Sequence, residues 1–175
     1  MVREYRRQSS RFANLARYRR IVTISSHLAR EYARYGLPVS CTWHVREGVP
    51  PSGVLPRAAP AGESPWHLLF AGRTTDLKGG RELLQALPAV ASGIGRRLHL
   101  TVAGDGPERS AWQQLAKTTM SREPRVTVSF PGWVDGDGMA RLFAASHLLV
   151  VPSLWPEPLA LVGLEAGRHA VPAVA

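Results

Sequence analysis

Two glutamates near the end of the chain have the type and spacing to do chemistry. Glu157 and Glu165 enclose seven residues within Pro152-Ser-Leu-Trp-Pro-Glu-Pro-Leu-Ala-Leu-Val-Gly-Leu-Glu-Ala166. A carboxylate accepts hydrogen bonds at both oxygens, so it suits a pair of adjacent hydroxyls. The apolar run Leu148–Val151 just before them reads as a buried parallel strand. Pro158 is well placed as a first helical residue, since its missing N–H costs nothing there. That start leaves Glu157 at the helix mouth and Glu165 about two turns in. A helix mouth offers free N–H groups and a favourable dipole to a phosphate-sized anion. Either glutamate alone is more often a solvated residue near a helix start. Together, after a strand and a Pro-framed turn, they favour a site.

Three further stretches carry candidate groups. Ala71-Gly-Arg-Thr-Thr-Asp-Leu-Lys-Gly79 follows an apolar strand. Gly72 permits a tight turn and a close ligand approach. Arg73 and Lys78 bring two cations to that edge, one a fork for phosphate oxygens and the other a point charge. A pair of solvated loop cations is the ordinary alternative. Gly104-Asp-Gly-Pro107 is a strand-to-helix turn with Gly104 and Gly106. It is not a dinucleotide fingerprint, because Arg109 stands where the last glycine belongs. This argues against a nicotinamide-dependent enzyme. In Phe130-Pro-Gly-Trp-Val-Asp135, Trp133 and Val134 follow another strand, and a packing role for Trp133 is as good a reading as a binding one.

The elements that must position these residues alternate. Met1–Arg20 has partial helical periodicity through Tyr5, Phe12, Leu15 and Tyr18. Ile21–Ile24 reads as a strand, Ser25 or Ser26 caps a helix to about Tyr35, and Gly36 ends it. Val39–Val45 is a second strand. Arg46–Pro65 is rich in Gly and Pro and reads as a linker. Strands are then expected at Trp66–Phe70, Leu98–Val102, Val126–Phe130, Leu148–Val151 and Val171–Ala175. Helices are expected at Gly79 to about Val90, frayed by Pro88, and at Pro107–Thr119, Gly138–Ala145 and Pro158 to about Gly167. This order implies an α/β fold with a Rossmann-like, doubly wound parallel sheet and helices on both faces. In such sheets ligands bind beyond the carboxyl ends of the strands, where all four stretches fall.

Glu157 and Glu165, with Ala-Val-Pro-Ala-Val-Ala after them, resemble the Glu-x7-Glu signature of glycosyltransferase family 4, the retaining enzymes of GT-B fold. Leu159 and Ala160 stand where those enzymes usually have Phe and Gly. Gly72-Arg73 and Lys78-Gly79 are similar to the family's Gly-Arg-x4-Lys-Gly. The resemblance runs from about Ile21 to Ala175. It implies that residues 1–45 are the tail of an N-terminal acceptor domain, 46–65 an interdomain linker and 66–175 a donor-binding domain. It also implies that the chain is truncated at both ends, half of a GT-B protein. The activity implied is transfer of a sugar, often a hexose, from a UDP-, GDP- or ADP-sugar with retention at the anomeric carbon. The acceptor would be a glycan, a lipid-linked molecule or a small molecule, in glycan biosynthesis. The resemblance implies catalytic roles for Arg73, Lys78 and Glu157. It places the donor against Gly72, Gly104, Gly106, Trp133, Val134, Pro158, Leu159, Ala160, Leu161 and Glu165. The base would lie by Trp133 and Val134, the ribose hydroxyls by Glu165 and the sugar by Glu157. Charge developing on the β-phosphate would be met by Arg73, Lys78 and the helix start, with no metal or other cofactor expected. A non-catalytic nucleotide-sugar-binding fragment is the alternative.

Composition narrows the rest. Apolar residues make up 45% of 175, enough for a core. Lys+Arg 22 against Asp+Glu 13 gives +9, and lysine occurs only at Lys78 and Lys117. The arginines are scattered, without an aromatic-interleaved basic motif, so nucleic acid is not expected as a partner. Peripheral contact with an anionic membrane fits the charge. Cys41 is the single cysteine, so no intramolecular disulfide or thiolate cluster can form. No apolar run spans a bilayer and no secretory signal opens the chain. A cytoplasmic location, at most at the inner face of the membrane, is expected.

Overall fold

The computed structural model describes residues 2–42 and 58–175. The chain divides into two compact units, Met1–Gly48 and Val49–Ala175. The expected continuation of the second strand to Val45, and most of the expected linker, lie outside the described residues.

The first unit holds α1 (Val2–Leu15), β1 (Ile21–Thr23), α2 (Ser26–Arg34) and β2 (Val39–Thr42). β1 and β2 pair in parallel across α2. Ile21 and Thr23 are buried while Val22 between them is exposed, the period-two alternation of a strand. The Ser25 hydroxyl caps α2 by accepting from the Leu28 N–H at 3.2 Å. Gly36, at φ 70°, takes the chain out of the helix in a left-handed conformation.

The second unit is a five-stranded sheet. Its strands are β3 (Trp66–Ala71), β4 (Leu98–Ala103), β5 (Val126–Gly132), β6 (Leu148–Val150) and β7 (Ala173–Val174). They lie in the order β5-β4-β3-β6-β7, and all four pairings are parallel. The helices are α3 (Gly80–Ile94), α4 (Arg109–Arg122), α5 (Gly136–Ala145) and α6 (Leu161–Arg168), with a 3₁₀ turn at Asp76–Lys78. Alternate side chains of β3 and β6 enter different cores. Leu68 and Phe70 pack with Leu84 and Leu87 of α3 and Trp112 of α4. Leu69 packs with Leu149, Phe143 of α5 and Ala166 of α6. The central strand β3, covered on both faces, is apolar apart from His67, whereas β5 alternates as Val126-Thr-Val-Ser-Phe130.

Helix limits differ from expectation: α4 runs from Arg109 to Arg122, not Pro107 to Thr119, and α5 starts at Gly136, two residues before Gly138. α3 does not fray at Pro88 but runs six residues beyond it, to Ile94. Proline removes the N–H that would bond the Leu84 carbonyl. The buried Thr119 hydroxyl of α4 donates to that carbonyl instead, at 3.4 Å. α6 begins at Leu161, not Pro158, with Ala160 still non-helical at φ −76°, ψ 79°. Pro156 and Pro158 each push the preceding residue toward extended backbone. The segment also reaches across the sheet edge, where the Leu154 N–H donates to the Leu77 carbonyl at 2.9 Å. Glu165 is therefore the fifth residue of α6, little more than one turn in. The final strand is Ala173–Val174, shorter than the apolar run that holds it.

From β3 the chain winds outward through β4 to β5, then returns to β6 on the other side of β3 and continues to β7. The loops after β3 and β6 thus part in opposite directions. A crevice opens at such a reversal, at the carboxyl edge of the sheet.

Candidate functional site

That crevice is walled by loops held to one another through backbone groups. Gly79, at φ 67°, lies so near the loop after β6 that a Cβ would stand 1.8 Å from the Pro152 carbonyl oxygen. The loop after β3 is also bonded to the loop after β4. The Thr74 N–H donates to the Asp105 carbonyl, and the Glu108 N–H to the Thr74 carbonyl, both at 3.0 Å. At Gly104, φ 134°, a Cβ would lie 1.9 Å from the Gly72 carbonyl oxygen. The need for glycine there is already met by chain-to-chain packing, without a ligand.

Two adjoining clefts line this edge. The larger, about 540 Å³, is bounded by Gly72 and Arg73 after β3, Gly104 after β4, Trp133 and Val134 after β5, and Leu161 and Glu165 of α6. The smaller, about 250 Å³, holds Lys78, Glu157, Leu159, Ala160 and Leu161. Ala71, Leu161 and Val162 border both. Of the residues singled out from sequence, Gly106 and Pro158 line neither cleft. Gly106 fits against Thr74, whose carbonyl oxygen would lie 2.6 Å from a Cβ. A third cavity, about 530 Å³, lies against α3 and the strands on the Leu68 face. Its lining is aliphatic apart from Trp66 and Glu82, so it lacks the donors a phosphate needs.

The smaller cleft carries the strongest local electrostatics. Lys78 Nζ and Glu157 Oε1 form an ion pair. The Ser153 hydroxyl donates to the same oxygen at 2.6 Å. Burial pushes the Glu157 carboxyl up, but the hydrogen bonds from Lys78 and Ser153, with the Lys78 charge, outweigh it and hold the group below its ordinary range. Arg73 and Lys78, expected at one edge, both stand there but in different clefts. Arg73 is exposed in the larger cleft, and Lys78 is paired in the smaller. Trp133 is 76% exposed, so it is not a packing residue. Ala160 has negative φ and needs no glycine.

Sequence reading missed several supporting groups. Ser153 is one. Asp105 is another: its carboxylate accepts from the Gly106 N–H at 2.7 Å and from Arg109 Nη1 at 3.1 Å. Arg109 also donates to the Phe130 carbonyl at 3.4 Å, which ties the β4 loop to the end of β5. The one Asp-x-Asp triplet of this region, Asp135-Gly136-Asp137, was also passed over. Asp135 caps α5 by accepting from the Gly138 N–H at 2.7 Å, a structural use of the carboxylate.

Residues 65–175 match the family model described as "Glycosyl transferases group 1". The chain belongs to this family. Over 107 residues it is 33% identical to an uncharacterized glycosyltransferase of Methanocaldococcus jannaschii, covering 61% of this chain and 26% of that protein. Among solved structures it is similar to Anabaena HepE, crystallised with UDP and glucose, at 20% identity and TM-score 0.68, covering 95% of this chain and 47% of that one. It is also similar to a sucrose-phosphate synthase of Thermosynechococcus elongatus, at 24% identity and TM-score 0.65, covering 93% and 42%. At these identities the solved structures speak to the fold, which is the Rossmann-like parallel α/β arrangement of GT-B glycosyltransferases. The chain spans about a quarter of the curated relative's length and less than half of these two solved chains. No described helix of this glycosyltransferase chain is long and apolar enough to cross a membrane.

Proposed function

We propose that residues 66–175 form the donor-binding domain of a retaining, family 4 glycosyltransferase, with 1–45 from the acceptor domain and 46–65 between them. The donor is a UDP-, GDP- or ADP-sugar. The observation that carries the reading is the adjacency of the two clefts, one with Arg73 and Glu165, the other with Lys78 and Glu157. Nucleotide and sugar are joined by a diphosphate, and two adjoining clefts with a cation in each match that shape and charge. Glu165 accepts from the ribose hydroxyls, and Trp133 and Val134 border the base. Arg73, Lys78 and the start of α6 stabilise charge on the departing β-phosphate, where preorganised cations and dipoles act on the transition state. The bond from the anomeric carbon to the β-phosphate oxygen breaks, the acceptor hydroxyl oxygen attacks from the same face, and its proton passes to the departing phosphate oxygen. The cations take the part a metal would otherwise play. The acceptor is a glycan, lipid-linked or small hydroxyl compound, reached at a cytoplasmic membrane face that the +9 charge favours.

Calorimetric titration with UDP, GDP and ADP and their sugars tests this. One base should bind, and Arg73→Ala should weaken it about tenfold or more, the loss of a charge-assisted hydrogen bond. Absence of binding by all three, or indifference to Arg73→Ala, would overturn the reading. Binding without transfer is the second reading, favoured by the chain's spanning less than half of the solved chains above. Donor turnover separates the two, and the anomeric configuration of the product, read by NMR, decides retention.

A further inference from the structure

We propose that Ser153 is a positioning residue that holds Glu157 in the sugar-side cleft when a donor diphosphate draws Lys78 away. The role rests on the donor-site reading above. Both hydrogen bonds that Glu157 accepts among the described residues fall on Oε1, from Lys78 and from Ser153. Oε2 is left to accept from a ligand hydroxyl. Of the described side chains lining this cleft, Lys78 and Ser153 are the only ones able to donate a hydrogen bond, and Lys78 and Glu157 the only ones that titrate.

The two donors differ in where they are anchored. Lys78 ends the 3₁₀ turn after β3 and reaches Glu157 across the crevice. Ser153 lies four residues before Glu157 on the same loop, so its bond does not depend on where the Lys78 side chain points. A diphosphate carries more negative charge than one carboxylate and competes for Lys78. Once Lys78 turns to it, Glu157 keeps one donor. Without the Ser153 hydroxyl, a three-torsion side chain among apolar neighbours would keep no hydrogen-bond donor from this cleft's own side chains.

The test uses Ser153→Ala and Ser153→Thr, with the threonine variant retaining the hydroxyl. The Glu157 carboxyl is titrated by carbon NMR in ligand-free protein. Affinities for UDP and UDP-glucose are measured in parallel, or for the GDP or ADP pair if that base is bound. In Ser153→Ala the Glu157 midpoint should rise. The nucleotide sugar should lose about tenfold in affinity, one hydrogen bond to a charged group, while the nucleoside diphosphate changes less than twofold. Ser153→Thr should restore both quantities toward wild type. An unmoved midpoint in Ser153→Ala overturns the contact. A raised midpoint with equal losses for diphosphate and sugar, or with neither lost, overturns the positioning role. If wild-type protein binds no nucleoside diphosphate, the donor-site reading fails instead, and the midpoint still decides the contact.

Discussion

Glu157 and Glu165 share a carboxylate and little else. Glu157 is half-buried and bound by Lys78 and Ser153, whereas Glu165 is exposed on α6 and borders the larger cleft. The same substitution should therefore act differently at each. Glu165→Gln should weaken nucleoside diphosphate and nucleotide sugar alike, because both carry the ribose. Glu157→Gln removes the partner that Lys78 must leave before it meets a phosphate. The Lys78 and Glu157 side chains are 35% and 22% exposed, and such partly solvated pairs are worth about 0–1 kcal/mol. Diphosphate affinity in Glu157→Gln should stay level or tighten by up to about fivefold, while affinity for the nucleotide sugar falls. Parallel titrations of both variants decide this, and equal losses at both sites would end the distinction. Gly104→Ala is the structural contrast. With φ 134° and the Gly72 oxygen 1.9 Å from the added carbon, it should cost more than about 2 kcal/mol in urea unfolding. That the glutamates, the cations, Gly72 and Gly104 line the carboxyl edge of the sheet was legible, because each stretch follows an expected strand. Ser153 was not, since one serine in a Pro-rich turn carries no spacing signal, and its partner is set by how that turn folds back.

At the scale of elements, every described strand lies within or beside a stretch the sequence marks as one. Helix limits were less legible, because tertiary partners set them. α3 is the plainest case. Its Pro88 announces a break in the sequence, and the partner that offsets the lost hydrogen bond, Thr119, is 31 residues further on, in another helix. Thr119→Val keeps the shape and removes the donor, leaving the Leu84 carbonyl buried and unpaired. It should destabilise by about 1–3 kcal/mol. In a Pro88→Ala background the helix supplies its own N–H to that carbonyl, so Thr119→Val should cost less there. A double-mutant cycle by urea unfolding measures the difference, and additive losses would show that Thr119 does not stand in for the missing N–H. The start of α6 was misread for a related reason. Pro158 is a good first helical residue in isolation, but the bond from Leu154 to Leu77 and the ion pair of Glu157 with Lys78 hold the chain out of a helix through Ala160.

Over the second unit as a whole, the two ends of the sheet do different work. The carboxyl ends carry the clefts, and the amino ends carry a row of imidazoles. His67 of β3 and His99 of β4 are paired in register, with ring centroids 5.4 Å apart, and His147 before β6 lies 5.5 Å from His67. His99 also meets the hydroxyls of Thr127 and Ser129 on β5, at 2.9 and 3.2 Å. Burial holds the His99 pKa below its ordinary value, because the charged form loses water. The unfolded chain therefore binds a proton at a higher pH than the folded one. The stability contributed by neutral His99 is complete above about pH 6.5, the unfolded value, and is lost as pH falls from there through the lower folded value. Urea midpoints should thus decline between pH 7 and 5.5 in wild type. His99→Gln keeps hydrogen-bonding capacity without the titration, so its decline over that range should be shallower. Nucleoside diphosphate affinity, which the proposed function assigns to the other end of the strands, should not follow the same curve. Equal slopes in wild type and His99→Gln would remove His99 as the source, and a parallel loss of diphosphate affinity in wild type but not in the variant would show that the two ends of the sheet are coupled.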